Sequence, residues 1–97
     1  MYTIDTRIKD QSFNALQVQK LVKTDVLEIL SISLEKGAVF PEHTSPTDAQ
    51  LVVLQGSIVF HINKKDFELS TQEHFSFPKE VAHWVEATED SKFLIIR

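Results

Sequence analysis

The chain's 97 residues, 42% hydrophobic and 25% charged, suffice for one core and not for two. Cysteine is absent, which excludes disulfides and thiolate chemistry and limits any metal site to imidazole, carboxylate, amide or water ligands. Net charge is −4, with five bases and five acids over residues 1–36 but five bases and nine acids from Gly37 onward, and no Lys/Arg stripe that would draw in a nucleic acid.

In chain order, residues 10–15 allow one short helical turn. Leu16, Val18 and Lys20 then alternate with Gln17, Gln19 and Leu21 as a strand, and Lys23-Thr24-Asp25 reads as a turn. Residues 26–35 form a strand with Leu30, Ile32 and Leu34 on one face, closed by Lys36-Gly37. Pro41 and Pro46 argue for an edge segment followed by a loop. The apolar run 51–54 reads as a buried strand, and Gln55-Gly56-Ser57 as a turn or bulge, because glycine takes φ > 0 without steric cost.

From Ile58 the period is two: Ile58, Phe60 and Ile62 face one way, Val59 and His61 the other. Residues 63–66 read as a polar hairpin turn, with Phe67 and Leu69 resuming the buried face. Phe75 and Phe77 alternate with His74 and Ser76 up to Pro78; His83 and Val85 lie opposite Trp84; residues 93–96 make a last strand. Short strands separated by frequent turns predict an all-β closed barrel or sandwich, with residues 1–97 as one domain. The longest apolar runs are too short to cross a bilayer, and the N-terminus lacks a basic-then-apolar leader, so the expected location is cytoplasmic with no membrane partner.

The punctuation also repeats at fixed offsets. GAVFPEHTSPTDAQLVVLQG (37–56) spaces Gly37, His43 and Gly56, and QEHFSFPKEVAHWVEA (72–87) spaces Pro78 and His83. These blocks resemble the two motifs of the cupin family, small antiparallel β-barrels of the jelly-roll type. The first family motif is Gly, five residues, His-x-His, three or four residues, Glu, six residues, Gly. The second is Gly, five residues, Pro-x-Gly, two residues, His, three residues, Asn. The resemblance implies a cupin-type barrel over residues 26–97 and a site in its interior. It also implies a metal (Fe, Mn, Ni or Zn) held by three His and a Glu. Here the second His position is Ser45, the Glu position is Ala49 or Gln50, the second-motif glycines are Gln72 and Glu80, and the Asn is Ala87.

Two of four ligands thus remain, His43 and His83, with Gln50 or Glu42 as oxygens that would have to complete a divalent site. The expected pocket comprises Phe40, His43, Ser45, Gln50, Phe77 and His83, an apolar mouth with few polar anchors. His61 is expected to be exposed or at a subunit contact, and His74 and Trp84 to face away from the pocket. No Ser-His-Asp arrangement, Gly-rich phosphate loop or HExxH stands in the sequence. The leading expectation is a protein that binds a small organic ligand over a degenerate metal site, without catalysis. The alternative is a metal-dependent enzyme of dioxygenase or isomerase type using His43, His83 and an unconventional third ligand. A third is a structural homodimer, which cupin-type proteins form by strand exchange, with residues 16–22 as the exchanged strand.

Overall fold

In the computed structural model, which describes residues 2–97, nine strands build two antiparallel sheets. A helical turn, α1 (Arg7–Asp10), precedes β1 (Leu16–Lys23), β2 (Glu28–Leu34), β3 (Val39–His43), β4 (Ala49–Gln55), β5 (Ser57–Ile62), β6 (Lys65–Ser70), β7 (His74–Phe77), β8 (His83–Ala87) and β9 (Ser91–Ile96). The larger sheet runs β1-β2-β9-β4-β7 and the smaller β3-β8-β5-β6. The all-β expectation holds. Leu30, Ile32, Leu34, Leu51 and Val53 of the larger sheet share one core with Ile58, Phe60, Ile62 and Val85 of the smaller. Each such side chain contributes about 1.5–3 kcal/mol on burial.

The chain turns from one sheet to the other at Gly56. Its φ is +91°, and a Cβ there would collide with the Asp90 carbonyl and the Ser91 hydroxyl, so only glycine fits. Gln72 and Glu80, which stand where the second cupin motif has glycine, keep the left-handed backbone, with φ of 69° and 64°. The bend survived although the residue best suited to it did not.

Several local expectations need correction. The helical turn is Arg7–Asp10 rather than 10–15: Asp5 accepts from the Arg7 N–H, and Thr6 bonds to Asp10. α1 and the segment after it lie over the outer face of β2 and β9. There Gln11 bonds to Ser31, Ser33 donates to the Ser12 carbonyl, and Lys92 donates to the Ile8 and Lys9 carbonyls. That covering buries Ser31, Ser33 and Lys92, so β2 is enclosed on both faces.

The hairpin after β5 is two residues long, not four. Asn63 and Lys64 both take positive φ, as a type I′ turn requires, while Lys65 and Asp66 already pair with Ile62 and His61. Phe67 does not resume the core: it lies on edge strand β6, partly exposed, against Phe75. The run 51–54 is a one-faced strand, with Leu51 and Val53 inward and Leu54 exposed. β1 pairs with β2 at the outer edge of the larger sheet.

Candidate functional site

Pro41 removes a backbone donor from edge strand β3, and the β3–β8 register shifts between Phe40 and His43. Phe40 and His43 are three positions apart and would face opposite ways in a regular strand; the shift lets both line the same interior cavity. His83, the first residue of β8, pairs directly with His43 and is almost fully buried. Both residues line a cavity of about 100 Å³ between the sheets. Leu30, Ile32, Phe60, Phe77 and Phe93 are among its apolar walls, and its polar members are His43, Thr44, His83 and Arg97.

Hydrogen bonding fixes the proton on each ring. His43 Nδ1 lies 2.7 Å from the Pro41 carbonyl and His83 Nδ1 2.9 Å from that of Val81. Carbonyls only accept, so both Nδ1 atoms donate, and in the neutral rings both Nε2 atoms carry lone pairs. Those atoms face one another at 3.1 Å, a hydrogen bond only when one ring carries a second proton. Burial holds the His83 pKa below its ordinary value of 6.5, the Val81 bond opposes this in part, and the charges of His43 and Arg97 add to the lowering. Burial thus favours the neutral His83 ring, whose Nε2 can only accept. Phe40 stacks on His43 at 4.2 Å, and Phe60 and Phe77 pack on His83 at 5.1 and 4.7 Å.

Of the residues expected in the pocket, Phe40, His43, Phe77 and His83 line the cavity; Ser45 and Gln50 do not. Ser45 is buried beside it, donating to the Thr47 carbonyl at 2.6 Å and accepting from Arg97 Nη1 at 3.2 Å. Gln50 is on the outer face of β4, because Ala49 and Leu51 point inward; its Oε1 accepts from His74 at 2.5 Å and Ser76 at 2.6 Å. The inward position corresponding to the family's Glu is thus Ala49. Glu42 also points outward, into a surface cleft beside His61 and Trp84. His61 is mostly covered rather than exposed, stacked on Trp84 at 3.7 Å with its Nδ1 2.5 Å from Asp66.

Arg97 was missed by sequence reasoning, although Phe93, Ile95 and Arg97 have the same parity along the last strand. Its Nε donates to Glu28 at 2.7 Å, and that bond holds the Glu28 carboxyl below its ordinary pKa of 4.5.

The donor set does not fit the metal that the resemblance implies. His43 and His83 offer two nitrogens, but Ser45 is turned to Thr47 and Arg97, Ala49 offers nothing, and both Gln50 and Glu42 point away. No group of three or more His, Cys, Asp or Glu among the described residues could hold an ion. A divalent cation here would lack an anionic ligand and share its cavity with a guanidinium.

A family model described as "Cupin domain" matches residues 30–96. Among solved structures, an RmlC-like cupin protein from Desulfovibrio desulfuricans superposes with a TM-score of 0.86 at 18% identity, over 99% of this chain and 95% of that one. A cupin superfamily protein from Desulfitobacterium hafniense gives 0.82 at 21% identity, over 90% and 80%. A third, from Methanocaldococcus jannaschii and described as a double-stranded β-helix, gives 0.82 at 20% identity, over 92% and 84%. No curated protein matches the chain. No helix among the described residues is long and apolar enough to cross a membrane.

Proposed function

The chain belongs to the cupin family, and from that premise we propose that it binds a small organic ligand inside the barrel, against His43 and His83. One observation carries the reading: two imidazole Nε2 atoms converge at 3.1 Å on a mostly apolar cavity of about 100 Å³. Few polar anchors in a greasy, preformed hollow is the usual composition of a small-molecule site. A cavity of that volume takes roughly four to six non-hydrogen atoms, either a whole small molecule or the inserted end of a larger one. With a donor set among the described residues that does not suit a divalent ion, ligand binding is better supported than metal-dependent catalysis.

The test is a panel of small neutral and charged molecules titrated into isotope-labelled protein, following the methyl resonances of Leu30, Ile32 and Ile95. At least one member should saturate these shifts, and a His43→Ala/His83→Ala double variant with unchanged circular dichroism should lose the response. A panel that moves none of the cavity methyls, or a double variant that binds as well as the parent, overturns the proposal.

A further inference from the structure

We infer that the ligand of this cavity is a small monocarboxylate, with its carboxylate on the Arg97 guanidinium and its apolar remainder among the phenyl groups. The inference rests on the reading of the cavity as a ligand site and adds the chemical class.

Arg97 follows the last residue of β9 and is anchored by backbone bonds exchanged with Glu28. Its side chain donates through Nε to Glu28 and through Nη1 to Ser45. A guanidinium carries five N–H donors. The remaining N–H groups make no hydrogen bond to the described residues, Arg97 is among the residues lining the cavity, and its charge acts on His83 there. Buried or half-buried donors seek partners, and two adjacent guanidinium N–H groups match the two oxygens of a carboxylate.

The charge balance points the same way. Glu28 does not neutralise Arg97 alone, because Lys20 lies 3.7 Å from its second oxygen and the charge of Lys23 also acts on it. Arg97 thus shares the Glu28 carboxylate with two lysines. Asp25 flanks a separate cleft that reaches Arg97 from outside. On the cavity side no Asp or Glu is present, so the one permanently charged lining group is a cation, in a chain whose net charge is −4. Low-dielectric walls such as Phe60 and Phe93 strengthen an ion pair formed there. The cavity in which the family resemblance places a bound metal cation has, in this chain, a cationic residue in its own wall.

The experiment compares butyrate with butyramide and 1-butanol, molecules of near-equal size that differ in charge, on the labelled full chain. The readouts are the Arg97 Nε–H resonance and the cavity methyls. Butyrate should bind at least about tenfold more tightly than either neutral molecule, as a charge-assisted bond predicts. It should move both sets of resonances. Arg97→Gln should erase the preference, and Arg97→Lys, which keeps the charge without the fork, should retain part of it. If Arg97→Gln does not fold, the wild-type comparison and Arg97→Lys still decide. Neutral molecules that bind in the cavity as well as butyrate does overturn the anion assignment while leaving the ligand site standing. Butyrate that shifts Arg97 no more than sulfate does, with the methyls still, also overturns it, as a surface anion contact. Silence from all three molecules at the cavity methyls overturns this inference, and the wider panel then decides the ligand-site reading.

Discussion

The two faces of the β5–β8 ladder carry the same residue type to opposite ends. His61 pairs with Trp84 and Ile62 with His83, so the rings of His61 and His83 lie one pleat apart on adjoining strands. The inward ring, His83, meets Phe60, Phe77 and the lone pair of another imidazole. The outward ring, His61, lies on the Trp84 indole, with Asp66 at 2.5 Å and Glu86 at 3.7 Å. Period-two alternation therefore decides the chemistry of each imidazole before any partner is considered. The interior presents histidines without carboxylates, and the exterior a histidine between carboxylates.

The largest consequence is energetic. Phe60 is 1% exposed and joins both sheets through Phe75 and Phe77, so Phe60→Ala should cost about 3–5 kcal/mol. Trp84, on the other face of the same ladder, stacked on His61 and only partly buried, should cost about 1–2 kcal/mol as Trp84→Ala, since it lies outside the enclosed core. Urea unfolding of both variants checks the difference. Equal losses would mean that the outer face is core as well.

A smaller effect separates the faces by pH. The His83 pKa is held below 6.5, chiefly by burial. A depressed histidine pKa means that the unfolded chain binds the proton more readily, so stability falls as pH drops through 6.5 toward the folded value and is fully present above 6.5. The urea midpoint should therefore decline between about pH 7.5 and pH 5, and His83→Gln should flatten that decline. Staying above about pH 5 keeps Glu28 out of the measurement, because its carboxyl is held below 4.5 by Arg97. A slope unchanged in His83→Gln would assign it to another group.

Most of the fold could be read from the residues because each strand states its own period. Ile58, Phe60 and Ile62, or Phe93 and Ile95, declare an inner face without help from the rest of the chain. The site was legible only in part, for two physical reasons. Motif spacing located His43 and His83, but it counts residues and does not say which way they point, so Ser45 and Gln50 were carried along although one is turned to a backbone carbonyl and the other lies outside. Arg97 belongs to no motif, and its entry into the cavity depends on Glu28 and Ser45, each more than 50 positions away in the sequence. The covering of β2 by the segment after α1 was equally hidden, since Ser31 and Ser33 read as solvent-facing until Gln11 and Ser12 are seen to meet them.

The smallest effect concerns the turns that hold the two histidines. Lys64, in the hairpin beside His61, and Glu80, in the turn before His83, both have left-handed backbone, with φ of 61° and 64°. A side chain in that region costs about 1 kcal/mol, and glycine recovers this less the extra entropy of its unfolded chain, so Lys64→Gly and Glu80→Gly should each gain up to about 0.5–1 kcal/mol. The thermodynamic gains should match, yet only one should reach the cavity. The Glu80 N–H donates to the Ser45 carbonyl at 2.8 Å, and the following Val81 carbonyl accepts from His83 Nδ1. Freedom at residue 80 therefore loosens both the loop behind Arg97 and the carbonyl that orients His83. Glu80→Gly should raise the urea midpoint while broadening the His83 ring resonances, whereas Lys64→Gly should raise it with those resonances unmoved. A Glu80→Gly variant that is less stable than the parent would show that the exposed Glu80 side chain holds the turn, and that the motif's glycine was replaced for a structural reason.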